Sequence, residues 1–176
     1  MTEVQSFVAV ADKNAVVLIL GSMPGVESLR QQQYYAHPKN LFWDMMGEMF
    51  GADRDLAYAA RLEVLRKNRV ALWDVAHRCA RRGSLDANIE TATVVPNDFA
   101  ALFRDCPHIR HVFFNGQKAA DLYRRLVVPG LPEDKKQIEY ITLPSTSPAN
   151  ASIPAAIKRQ QWQSVKQVLD SGLADS

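Results

Sequence analysis

Val17-Leu18-Ile19-Leu20 runs directly into Gly21-Ser22-Met23-Pro24-Gly25. An unbroken aliphatic run closed by a Gly/Pro-bounded turn reads as a strand covered on both faces. Strands of that kind belong to parallel sheets, which place their ligands beyond the C-terminal strand ends. A second segment of the same design lies more than a hundred positions further on. There Tyr140-Ile141-Thr142 precedes Leu143-Pro144-Ser145-Thr146-Ser147-Pro148-Ala149-Asn150. If both strands are parallel members of one sheet, both loops leave the same edge and build one pocket.

Apolar, β-branched or aromatic runs recur at 15–20, 70–73, 111–114 and 138–142. Helical patterns fall between and after them, at 40–50, 56–67, from Asn97 or Asp98 to 105, at 116–126, and from Pro154 to 169. Leu41, Met45, Met46 and Met49 share one side of the first. Strands alternating with helices predict an α/β fold with a parallel sheet covered on both faces. The residues before Ala15 are expected to form a short helix or to fray.

A chain of 176 residues without an internal linker suggests one domain, residues 1–176, and 47% hydrophobic residues suffice for a core. No run approaches the roughly 20 apolar residues of a membrane span, and no signal peptide is apparent. Cys79 and Cys106 are too few for a disulfide framework or a thiolate cluster. The expectation is a reduced, cytoplasmic protein without a structural metal, and nothing requires an obligate protein partner. A net charge of +2 neither demands nor excludes nucleic acid. Arg61, Arg66, Lys67 and Arg69 form one basic cluster, Arg78, Arg81 and Arg82 a second, Arg124 and Arg125 a third. Solvated helix faces account for such clusters in general. The second sits in a Gly/Ser-containing loop, so Arg81 and Arg82 are the candidates for phosphate contact.

The glycines of Gly21–Gly25 allow close backbone approach to a ligand, and Pro24 stiffens the turn; a tight strand exit explains them equally well. The loop is neither a Walker loop nor a dinucleotide fingerprint. In Tyr34-Tyr35-Ala36-His37-Pro38-Lys39-Asn40-Leu41-Phe42-Trp43, aromatic residues stand beside polar ones, which fits a site that sandwiches a planar ring and reads its edge. Phe42 and Trp43 open a helix and read as core, while Tyr34 and Tyr35 are stacking candidates. His37 is a proton donor or a structural hydrogen-bonding group. Asn40 is first a helix N-cap, although its amide is also suited to holding water or a developing positive charge. Asp74 is the one carboxylate placed after a strand to reach the same edge; Asp44 reads as salt-bridged or solvated. The hydroxyls, amide and prolines of residues 143–150 suit phosphate contact or a wedge into a base stack, or simply a rigid connection. No Ser-His-Asp set or metal signature is present, and no second acid for a paired-carboxylate mechanism suggests itself.

Taken together, the Gly21–Gly25 loop, His37-Pro38-x-Asn40-x-Phe42-Trp43 and Leu143-Pro144-Ser145-Thr146-Ser147-Pro148 resemble the motifs of the uracil-DNA glycosylase superfamily. The pattern is most similar to its family-6, hypoxanthine (deoxyinosine) branch, with the mismatch-specific uracil/thymine branch next. The resemblance implies a three-layer α/β/α sandwich with a mostly parallel four-stranded sheet. It implies a cofactor-free enzyme that flips a deaminated base out of DNA and hydrolyses its N-glycosidic bond. The implied substrate is double-stranded DNA, with single strands left open. Asn40 matches the catalytic Asn of the family-6 branch. Gly21, Ser22, Met23, Pro24, Gly25, Tyr35 and Asp74 map to base binding. His37, Ser145, Thr146, Ser147, Pro148 and Asn150 map to DNA contact, with Arg81 and Arg82 added from the charge pattern. Asp74 as a carboxylate would accept the N1–H that hypoxanthine has and adenine lacks. Met23 stands where uracil-acting branches place a catalytic Asn or Asp, and a thioether offers no comparable polar oxygen. The alternatives are a uracil or G:U/T mismatch glycosylase, a non-catalytic lesion binder, and a small-molecule nucleotide-binding protein.

Overall fold

The structure is a computed structural model and describes residues 2–174. In chain order the strands are β1 (Glu3–Gln5), β2 (Val17–Gly21), β3 (Val70–Asp74), β4 (Ala76–Ala80), β5 (Val95–Pro96), β6 (His111–Asn115) and β7 (Glu139–Leu143). The helices are α1 (Val26–Gln31), α2 (Phe42–Phe50), α3 (Tyr58–Lys67), α4 (Phe99–Asp105), α5 (Gln117–Leu126) and α6 (Ala155–Ala174). The four apolar runs form one parallel sheet in the order β3-β2-β6-β7. The chain leaves β2 towards β3 on one side, while β6 lies on the other. That reversal is the switch point at which open α/β sheets leave a crevice.

Successive strand residues point to opposite faces. Val17, Ile19, Val70, Leu72 and Phe113 pack with α2, α3 and α6. Leu18, Leu20, Ala71, Val112 and Phe114 pack with α4, α5 and a second, antiparallel sheet, β1-β4-β5. Three layers result, as the resemblance implied. The short helix or fraying expected before Ala15 is not what the described residues 2–14 show: β1 pairs with β4, and Val10 bridges to Leu72.

Two tryptophans tie the core to the loops. Trp43 and Trp162 are fully buried and meet Phe42 edge-on, at ring-centroid distances of 4.9 and 6.1 Å. Burying each such side chain contributes on the order of 2–3 kcal/mol. Each indole N–H also needs a partner. Trp43 Nε1 donates to the Tyr34 carbonyl at 2.8 Å and Trp162 Nε1 to the Pro144 carbonyl at 2.9 Å. The core therefore fixes the segments on either side of the crevice.

Candidate active site

The C-terminal ends of the strands place Gly21 beside Asp74 and Asn115 beside Leu143 in register. Above them is a cavity of about 530 Å³, within the usual range for small-molecule sites. Its walls are residues 21–28, Tyr34, Tyr35, His37, Asn40, residues 84–87 and residues 145–150, with Asp74 and Asn115 at the strand ends. The two distant loops meet directly: the Leu41 N–H donates to the Thr146 carbonyl at 3.1 Å.

Asn40 is buried and borders this cavity. Its Oδ1 accepts from the Phe42 N–H at 2.9 Å, a turn of the Asx type; the N-cap of α2 is Leu41, without a side-chain cap bond, so the N-cap read from sequence at Asn40 falls one residue early. The amide is thereby held in one orientation. Arg54 donates to the Asn40 carbonyl and pairs with Asp44 at 2.9 Å, which settles Asp44 as a surface ion pair.

Asp74 lies on the floor, only 3% exposed. Its Oδ2 is buried with no hydrogen-bond partner among the described groups, and the Tyr35 hydroxyl is the same. A methyl group at position 21 would stand 2.6 Å from Asp74 Oδ1 and 2.8 Å from the Tyr35 hydroxyl. Gly21 is what lets a carboxyl and a phenol share the strand end. Burial first, and then the negative charge of Asp86, push the Asp74 carboxyl up to about 7, with the Arg81 guanidinium opposing. Burial likewise raises the Tyr35 phenol, with Asp74 adding to the shift. Tyr35 holds a left-handed backbone, φ +54°, uncommon for a bulky residue, and its ring packs on Phe42 at 4.1 Å. Tyr34, by contrast, is core: its hydroxyl donates to the Val8 carbonyl at 2.9 Å.

A third wall comes from the connection after β4. The Ser22 hydroxyl donates to Asp86 at 2.5 Å, a short charge-assisted bond. Ser84 Oγ accepts from the Val26 N–H at 2.8 Å, capping α1 from 58 residues away. Arg81 corrects the expectation of phosphate contact. It is buried, and its guanidinium donates to the carbonyls of Met23, Pro24 and Gly83 at 3.4, 2.5 and 2.8 Å. It fastens the first loop from within the protein and does not face solvent. Arg82 is exposed but lies outside the residues that line the cavity.

In the second loop, Thr146 is buried and engaged with Asn115. Asn115 Nδ2 donates to its hydroxyl and its own N–H donates to Asn115 Oδ1, each at 2.9 Å. Thr146 thus holds the loop, and the polar groups left towards solvent belong to Ser145, Ser147 and Asn150, with Pro148 exposed beside them. Gly116, at φ +97°, begins α5 under this loop, where a side chain would meet Ser145 Cβ at 3.1 Å. His37 is exposed on the rim and its Nδ1 accepts from the Lys39 N–H at 3.1 Å. Met23 is a buried part of the wall. Among the described residues no group of three or more His, Cys, Asp or Glu is placed to hold a metal ion.

Asp86, Ser84 and Asn115 were missed in the sequence. Asn115 closes a strand that the apolar run defines only to Phe114. The polar Gly83-Ser84-Leu85-Asp86 stretch was read only through the arginines before it.

A sequence model of the uracil DNA glycosylase superfamily matches residues 8–166. A protein of Methanosarcina acetivorans named hypoxanthine DNA glycosylase is 39% identical over 162 residues, covering 92% of this chain and 96% of that one. A protein of the same name from Methanosarcina barkeri is 41% identical over 118 residues, covering 66% and 73%. The solution NMR structure of a Methanosarcina acetivorans protein, 37% identical, superposes with a TM-score of 0.78 over 96% of this chain and 99% of its own. With the sheet order, the two joined loops and these likenesses in agreement, the chain belongs to the uracil DNA glycosylase superfamily.

Proposed function

We propose that this protein excises hypoxanthine from duplex DNA by hydrolysing the N-glycosidic bond, leaving an abasic site. The observation that carries the proposal is the convergence of Asn40, Asp74 and both loops on one base-sized cavity with buried polar groups in its floor. The two Methanosarcina relatives named for this activity support it.

Exposed side chains of residues 145–150, with His37 and Arg82, contact the DNA backbone, and Pro148 occupies the space of the extruded nucleotide. Extrusion costs a few kcal/mol, less at a mispaired base. Tyr35, backed by Phe42, stacks on the base, while the polar strand ends and the Gly21–Gly25 backbone meet its edge. As the C1′–N9 bond breaks, positive charge develops on the sugar. The side-chain oxygen of Asn40, Oδ1, fixed by the Phe42 N–H, stabilises that charge or orients the attacking water. An amide is a poor base, so positioning and electrostatics supply the acceleration. Met23 in the cavity wall offers no polar group to a pyrimidine, which favours hypoxanthine over uracil.

The test is a panel of duplexes, each with one deaminated base, scored for alkali-labile sites. Cleavage at deoxyinosine well above deoxyuridine is expected. Tight lesion binding without product would establish a non-catalytic binder.

A further inference from the structure

From two carboxyl groups on one cavity, Asp74 unpartnered on its floor and Asp86 held on its wall by Ser22, we infer that Asp74 is the proton donor to the departing purine, and that Asp86 is the positioning residue that keeps it protonated. This deepens the excision proposed above and rests on it. Asp74 was expected to act as a carboxylate that accepts a hydrogen bond from N1–H. The structure assigns it the opposite role.

The geometry has three parts. First, Asp74 sits at the end of β3 on the cavity floor, almost wholly shielded from solvent, with one carboxyl oxygen unpartnered. An ionised carboxylate in such a place lacks the donors that stabilise it, whereas the neutral acid does not need them. Second, Asp86 lines the same cavity, and its carboxylate is fixed by the Ser22 hydroxyl at 2.5 Å. Its charge opposes ionisation of Asp74. Third, the one guanidinium acting on Asp74, that of Arg81, is turned to backbone carbonyls and makes no ion pair with it among the described contacts. Asp86 and Arg81 are the charged groups that act on Asp74; Tyr34, Tyr35 and Tyr58 are neutral phenols raised first by burial, and the Asp74 charge raises them further. Glu27 and His37 stand elsewhere on the cavity wall. The carboxyl titrates at about 7, so a large share carries a proton at neutral pH.

Chemistry gives that proton a use. When the C1′–N9 bond breaks, its electron pair stays on the base, and an unassisted purine leaves as an anion. Transfer of the Asp74 proton to N7 lets it leave neutral. Water adds to C1′ and releases its own proton to solvent, from which Asp74 is reprotonated. Positioned acid catalysis of this kind contributes about 10²–10⁴-fold.

The experiment is a single-turnover rate profile from pH 5.5 to 9, with enzyme saturating over a deoxyinosine duplex, for wild type, Asp74→Asn and Asp86→Asn. A melting curve at each pH confirms that the protein is folded. The expected wild-type rate is level on the acid side and falls towards tenfold per pH unit above neutrality. Asp86→Asn moves the falling limb to lower pH, and Asp74→Asn abolishes the limb with a loss of about a hundredfold or more. A 7-deazahypoxanthine duplex, with carbon in place of N7, is expected to lose most of the rate. A wild-type rate that rises with pH through the same range would show an acceptor carboxylate and overturn the inference, as would full activity on the 7-deaza substrate. An unmoved limb in Asp86→Asn would remove Asp86 from the account. Absence of product from wild type at every pH would instead overturn the excision activity itself. Should Asp74→Asn not fold, the direction of the wild-type limb and its shift in Asp86→Asn still decide.

Discussion

The two ends of the sheet carry two clefts, and the larger is the less chemical. At the N-terminal strand ends a cavity of about 1090 Å³ is lined by Glu63, Arg66, Lys67, Arg69, Arg110 and His111, among others. Its charges lie at the surface and find one another there. Arg66 pairs with Glu63 at 2.7 Å and His111 with Glu139 at 3.2 Å. Exposed pairs of this kind are worth about 1 kcal/mol or less, and among the described residues the one buried side-chain atom left unpartnered on this cleft is His111 Nδ1. The C-terminal cavity has about half that volume but a buried carboxyl, a buried phenol and an oriented amide on its walls. Volume alone does not locate a site. Desolvated polar groups held by bonds across three loops do.

Removing the oriented amide should separate the two ends most sharply. Asn40→Ala is expected to lower the single-turnover rate of hypoxanthine excision by about 10²–10³-fold with binding largely retained. Gly21→Ala comes next. The added methyl collides with Asp74 and Tyr35, and a misplacement near 1 Å costs about 10²-fold in rate.

Asp74 also makes a stability prediction with a definite sign. The folded carboxyl titrates at about 7, against an ordinary value of 3.8. Between those pH values the folded state holds a proton that the unfolded chain has lost. Stability therefore falls as pH rises from about 4 to about 7 and stays lower above that. Asp74→Asn, which cannot ionise, should raise the melting temperature at pH 8, by as much as roughly 4 kcal/mol in free energy, and leave it little changed at pH 4. A floor kept for function at the expense of stability predicts this pattern; equal melting shifts at both pH values would contradict it.

Arg81→Met leaves the buried carbonyls of Met23 and Pro24 without their donor and should cost about 1–3 kcal/mol, seen as a melting point several degrees lower. The smallest effects belong to the other cleft. Lys67→Ala and Arg110→Ala should leave excision within about twofold and stability within about 0.5 kcal/mol.

The central sheet and both principal loops were legible because buried parallel strands are written as apolar runs and Gly/Pro turns end them. The convergence of residues 21–25 and 145–150 followed from parallel order, while residue 40 joined them only through the motif resemblance. What lay outside the sequence was set by tertiary proximity. The strand Glu3–Gln5 has no apolar run, and Ala76–Ala80 reads as part of a basic cluster because His77 and Arg78 point outward. Arg81 looks like its exposed neighbour Arg82, since its partners are carbonyls 57 and 58 residues away. Asp86 reaches Ser22 across 64 residues, and nothing local announces that contact. Most helix boundaries moved by a residue or two, but α6 runs on to Ala174 and the short α1 has no signal in the sequence; α2 begins at Phe42 with Leu41 at its N-cap, while Asn40 holds the Phe42 N–H from the turn before it.

The most direct test of the central claim is an amide chemical-shift map of the protein titrated with a duplex carrying an uncleavable deoxyinosine analogue. The account predicts that the perturbed amides cluster at residues 21–28, 35–41, 84–87 and 145–150. Perturbations centred instead on residues 12–16, 66–69 and 108–111 would place the nucleic acid at the opposite end of the sheet and contradict it.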